Sequence, residues 1–203
     1  MKNLTNISFG FTLIEIMVAT SIFMIIMLIA FGTLISTSNT AKKSQALRSA
    51  MDNVNFAMES MTRSLRTSTD YYCIVDGASV SLPVFESLVS DCPLSNSPGG
   101  AAIVFTPPVL PSDPPQTPRN AAYRVIERSD GTGTHVLQSC TPKCYDLVSQ
   151  DIDITKLTFF VDGSDPNDEI QPSVYIIIKG TVLSKGVPST FAIQTMTSQR
   201  TFE

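Results

Sequence analysis

Residues 11–35 form a run of 25 positions that is almost wholly apolar, and no charge occurs from Ile16 to Ala41. Its centre, residues 22–31, reads IFMIIMLIAF, without a polar side chain. A helix rises 1.5 Å per residue, so this run is roughly 37 Å long, enough to cross a hydrocarbon core of about 30 Å. No other feature restricts the fold as much, because the segment needs lipid or a protein partner along its length. The remaining composition agrees. Hydrophobic residues make up 43% and charged residues 16% of the 203 residues, below the usual quarter for charge. That balance argues against a disordered chain. The net charge of −4 offers no general field for nucleic acid. A single histidine excludes multi-histidine metal sites, and the composition points away from an enzyme.

One charge, Glu15, stands near the start of the run. A carboxylate costs about 2.5–3.5 kcal/mol at the bilayer centre and less near its edge, so such a residue needs a partner or a task. A secretory signal peptide fits poorly: its apolar region spans about 7–15 residues and ends at a small-x-small site. This run is longer, and it ends in Ser36-Thr-Ser-Asn-Thr-Ala41. A plain signal anchor accounts for the length but not for Glu15 or the residues before it.

The stretch Gly10-Phe-Thr-Leu-Ile-Glu15-Ile-Met-Val-Ala19 resembles the class III signal of type IV pilins and type II secretion pseudopilins. The resemblance implies a short polar leader, residues 1–10, ending in Gly10. It implies a prepilin peptidase that cuts after Gly10 and methylates the new N-terminus at Phe11. It also implies an assembly role for Glu15 inside the apolar run. Glycine before the cut suits the chemistry, because the absence of Cβ leaves the backbone accessible. Cleavage ahead of the apolar run keeps the helix on the mature protein, where it can serve as membrane anchor and filament core. Gly32 stands where major subunits of the family often carry a helix-breaking proline. Lys42 and Lys43 follow the span while the leader holds only Lys2, so positive-inside counting by itself favours the reverse orientation. The resemblance implies an N-terminus in the cytoplasm, a single pass through the inner membrane and a periplasmic head.

Beyond the span, Leu47, Met51, Val54, Met58, Met61 and Leu65 recur at spacings of three and four and share one helical face. One helix over residues 11–67 is expected, its second part (36–67) amphipathic and packed on a head. From residue 68 the pattern changes to short runs rich in β-branched and aromatic residues, with turn signals between them. Candidate strands are 71–75, 79–85, 101–106, 121–128, 135–139, 157–161, 173–183 and 190–197. The connections Asp130-Gly-Thr-Gly133 and Ser184-Lys-Gly186 favour antiparallel hairpins. Tyr175-Ile-Ile-Ile178 is continuously apolar, as a central strand would be. The expectation is an α+β fold, a long helix on an antiparallel sheet. Pro107-Pro108 and Pro114-Pro115 cannot donate ladder hydrogen bonds, so residues 106–119 read as an exposed loop, with partner contact as a functional option. Within the family, the strand-rich head and the late Leu157-Thr-Phe-Phe-Val-Asp162 motif look most like minor subunits, the J-type pseudopilins and W-type minor pilins.

Cys73, Cys92, Cys140 and Cys144 are an even set in a head expected outside the cytoplasm, so disulfides are the default. Three connectivities exist, and near-neighbour pairing, Cys73–Cys92 and Cys140–Cys144, is favoured. Zinc at Cys140 and Cys144 would have His135 as its only nitrogen ligand. The acidic run 162–169 offers oxygen ligands but does not match a calcium loop; no metal or cofactor is expected. No Gly-x-Ser-x-Gly elbow, phosphate loop or dinucleotide fingerprint is present. Residues 42–66 carry five basic and two acidic residues, and the chain from Thr67 carries eight and fifteen, so the two parts are opposite in charge. That suits complementarity between neighbouring subunits better than DNA binding. The sequence therefore reads as a minor pilin or pseudopilin, a structural subunit that initiates or caps a filament. Its expected partners are other pilins, the prepilin peptidase, the assembly platform and the inner membrane, with no nucleic acid. The alternative is a signal-anchored binding protein, an adhesin or DNA receptor.

Overall fold

The computed structural model describes residues 10–74, 88–95, 97–108, 120–141, 143–165, 170–182 and 188–200. The expected strand at 79–85, most of the proline-rich loop (109–119) and residues 166–169 of the acidic run lie outside them. The elements are α1 (Leu13–Arg66), β1 (Thr69–Ile74), β2 (Leu88–Val89), β3 (Ala102–Thr106), β4 (Ala121–Glu127), β5 (His135–Thr141), β6 (Lys143–Asp146), β7 (Ile152–Asp162), β8 (Ser173–Val182) and β9 (Ser189–Ser198). The architecture is α+β, one long helix followed by antiparallel sheets. The chain divides into two compact units, with the boundary after Gln45.

In the first unit every described residue, 10–45, is exposed. From Ile16 to Ile35 the helix is apolar on nearly all sides, as a lipid-facing or filament-facing helix must be. Several of its hydroxyls return to the helix backbone. Thr20 donates to the Ile16 carbonyl at 2.9 Å, Ser21 to Met17 at 2.8 Å and Thr37 to Thr33 at 2.9 Å. An apolar solvent thus meets no unsatisfied hydroxyl at these positions. The helix passes through Gly32 without interruption.

In the second unit, α1 buries Ala50, Val54, Ala57, Met58, Met61 and Leu65. Four of these belong to the apolar stripe read from the sequence, while Leu47 and Met51 are half-buried. Two alanines complete the face because a small side chain lets the sheet approach closely. The helix ends under Tyr71, whose hydroxyl donates to the Leu65 and Ser68 carbonyls, the second at 2.7 Å. Late helical carbonyls have no partner within the helix, so this buried phenol satisfies one of them. Asn53 accepts from the Ser149 N–H at 3.0 Å, and the Arg66 carbonyl accepts from the Arg200 N–H at 2.7 Å.

The strands form two sheets rather than one. The first has six strands in the order β2-β1-β3-β4-β5-β6, and the second has three, β7-β8-β9. Strand β7 joins them, because Val161 and Phe159 bridge to Cys92 and Gly100. One core results, in which Phe105, Leu137, Phe159, Ile176 and Ile178 meet the α1 face. Strand β8 is central to its sheet, as its apolar run suggested. Its two faces differ, however: Val174, Ile176 and Ile178 are buried, whereas Tyr175 is exposed and Ile177 half-buried.

Candidate functional site

Gly10 and Phe11 precede the first turn of α1, and both are exposed. The helix starts after Thr12. The Glu15 N–H donates to Thr12 Oγ1 at 3.4 Å, and the Ile16 N–H donates to the Thr12 carbonyl at 3.3 Å. Thr12 is therefore an N-cap, and Thr12-Leu-Ile-Glu15 has the spacing of a capping box. Only the threonine half of that box forms, since no bond from the Thr12 N–H to the Glu15 carboxylate is present among the described residues. The peptide bond between Gly10 and Phe11 thus lies just outside a capped helix. A peptidase can reach it without melting a turn. A Cβ on Gly10 would meet nothing within 4 Å, so any demand for glycine comes from the enzyme that cuts, not from this chain.

Glu15 lies in the first turn of α1, on a face with Ile14, Val18, Ala19 and Ile22. It is exposed and has no ion pair among the described residues. Position in the first turn favours a carboxylate, because the helix dipole is positive there. The Thr12 cap was not singled out from the sequence, although its three-residue offset from Glu15 carries the signal.

The cysteines lie in the second unit. Cys73 in β1 is bonded to Cys92, and both are buried. Cys140 and Cys144 stand directly opposite each other on β5 and β6 and are bonded across that pair. With all four sulfurs engaged, none is a free thiolate for zinc. His135 starts β5 on the surface, where its backbone N–H donates to Asp153 Oδ1 at 2.7 Å. Among the described residues no three His, Cys, Asp or Glu side chains gather as metal ligands would. Buried Tyr123 links helix and sheet. Burial raises its pKa, while hydroxyl bonds with Ser64 and Ser139 act the other way.

Residues 6–31 match the model of the prokaryotic N-terminal methylation motif, a span that contains Gly10, Phe11 and Glu15. No curated protein and no solved structure matches the chain. The motif is the class III prepilin signal and supports the pilin and pseudopilin family. It points to a structural subunit rather than an enzyme, and it implies processing by a prepilin peptidase and assembly with other pilins. With an apolar helix long enough to cross a membrane, the chain fits a membrane-anchored protein.

Proposed function

We propose that this chain is a minor pilin or pseudopilin that helps to initiate or cap a type IV pilus or a type II secretion pseudopilus. The carrying observation is the methylation motif at residues 6–31, set directly on the apolar stretch of α1. Residues 1–10 are the leader, cut after Gly10, and Phe11 becomes the methylated N-terminus. Residues 11–35 span the inner membrane and later line the filament core. Residues 36–67 continue that helix into the head, residues 68–203, which lies on the periplasmic side and holds both disulfides. The minor-subunit reading draws on the strand-rich head and on Leu157-Thr-Phe-Phe-Val-Asp162, which runs along β7 where the two sheets meet.

Cleavage changes the electrostatics of the N-terminus. Before it, Phe11 has no free amine; afterwards a positive charge sits about one turn from Glu15. In its own helix that amine faces the positive end of the dipole. In a filament, where helices are shifted along the axis, the amine of an incoming subunit meets Glu15 of its neighbour in apolar surroundings. Two unpaired buried charges cost several kcal/mol each, and pairing recovers much of that, so the contact selects a register for docking. The test is mass spectrometry of the mature chain from membranes. The reading expects a start at methylated Phe11. An intact Met1, or a start near residue 42, removes it.

A further inference from the structure

We propose that the outer edge of β9 is a docking site for an extended, acidic segment of another protein, which adds to the three-stranded sheet as a fourth strand. The edge belongs to the head and is the same whether or not the chain is a pilin. Strands at sheet edges are usually short, charged or interrupted by proline, because an open ladder invites pairing. In the six-stranded sheet, β2 has two residues, and β6 has four, among them Lys143 and Asp146. The β7 edge is occupied by the bridges to Cys92 and Gly100. Strand β9 is different: ten residues, STFAIQTMTS, with no charge and no proline.

The register shows which groups are unused. The Gln199 N–H donates to the Pro172 carbonyl at 2.8 Å, so that position is a hydrogen-bonded pair. The pairing of β8 with β9 has no register shift, so hydrogen-bonded and open positions alternate back along the strand. The backbone groups of Thr190, Ala192, Gln194, Met196 and Ser198 therefore point away from β8. Arg200, of the same parity, reaches the Arg66 carbonyl. The other five have no backbone partner among the described residues.

The side chains on the outer face say what fits there. Phe160, Tyr175 and Met196 form one cross-strand row, with Tyr175 40% and Met196 50% exposed. Two rows away, Lys156, Lys179 and Ala192 form another. Both lysines are exposed, directly opposite each other, and neither has an ion pair among the described residues. Like charges directly opposite on a sheet are destabilising, so this row lacks a carboxylate. Ala192 is small and leaves Lys179 a clear path to the edge. A strand added antiparallel to β9 would place an apolar side chain beside Met196 and, four residues later, an acidic one beside Ala192. A second copy does not supply this. The outward side chains of β9 are Thr190, Ala192, Gln194, Met196 and Ser198, none of them acidic, so pairing β9 with itself leaves the lysines unmatched.

The test uses the full chain in detergent micelles and fluorescence anisotropy of a labelled, threonine-rich peptide with leucine four positions ahead of glutamate. Saturable binding is expected, about fivefold weaker when lysine replaces the glutamate. Lys179→Gln should reduce that preference. Gln194→Pro removes an outward N–H without touching the β8 ladder, a position where an edge strand tolerates proline. It should weaken binding at least about tenfold while the melting temperature stays within a few degrees. No saturable binding, equal binding of the two peptides, or unchanged binding to Gln194→Pro overturns the proposal. So does a Gln194→Cys chain that cross-links to a second copy of itself, which would show the edge occupied by this protein.

Discussion

Thr12 and Glu15 sit three residues apart, and between them they set where the helix starts and where a charge enters an apolar run. Glu15→Val makes the span more apolar, so insertion and cleavage at Gly10 should persist while co-assembly with other pilins fails. Wild-type filament or secretion function in the variant would remove the charge-register mechanism. Gly10→Val should block cleavage, seen as a chain that keeps its leader on a denaturing gel, because the demand for glycine comes from the enzyme that cuts and not from a contact within this chain. Tyr71 carries the residue-scale stability prediction. Burial, and then the Asp70 carboxylate, raise its pKa well above the ordinary tyrosine value of 10.0. The folded state thus keeps a proton that the unfolded chain loses above about pH 10, so stability contributed here is intact below that pH and falls as the pH rises through it. Tyr71→Phe removes the one hydroxyl proton shared by the Leu65 and Ser68 carbonyls, of which the Leu65 carbonyl keeps the Ser68 N–H at 3.3 Å, at a cost of about 1–3 kcal/mol. The variant should also show a shallower loss of stability than wild type in urea titrations from about pH 8 to about pH 11. The methylation motif at residues 6–31 was legible because it lies in contiguous sequence. Tyr71 was not, because its partners come from the end of a preceding helix, and the chain prints no sign of which aromatic will reach back.

The helix was legible as an element, from length in its first part and from three-and-four spacing in its second. Its start came out two residues early, at Phe11 instead of Leu13, because Thr12 takes the capping position. Gly32 is expected to be the soft place within it, because glycine is a poor helix former. A Cβ there would meet nothing within 4 Å, and alanine is better than glycine in a helix by about 1 kcal/mol. Gly32→Ala should therefore slow amide exchange over residues 29–35 about fivefold in micelles. Unchanged exchange would mean that the glycine is no weak point. Strand β7 shows what hides an element. Ile152 and Ile154 point inward, a register shift falls between Asp153 and Lys156, and Leu157, Phe159 and Val161 then carry the inward face. One extra residue reverses the alternation, so two-residue periodicity recovers only the later half of the strand. Strands β2 and β6 are too short to carry a period at all.

At the scale of the whole chain, the α+β class was legible, but the division of the strands between two sheets was not. The joins depend on Cys92 meeting Val161 and Gly100 meeting Phe159, pairings far apart in sequence that no local pattern announces. What the sequence did separate is the nature of its two parts, and that separation has a consequence for folding. Every buried core residue lies at or beyond Ala50, while residues 10–45 are exposed throughout. The second unit therefore holds every buried core residue found among the described residues. An amphipathic helix in a protein draws its stability chiefly from packing, and the part of α1 that remains in this unit has Val54, Ala57, Met61 and Leu65 in the core. A chain beginning at Ala46 and expressed into an oxidising compartment should thus be soluble and cooperative in unfolding, with its helix intact by circular dichroism. Deleting the Cys73–Cys92 bond from it, which closes a separation of 19 residues, should cost about 3 kcal/mol of loop entropy. The full chain should sediment with membranes, and the shortened one should not. An aggregated or helix-poor product would mean that the apolar segment takes part in folding the head, and the two units could no longer be treated as independent.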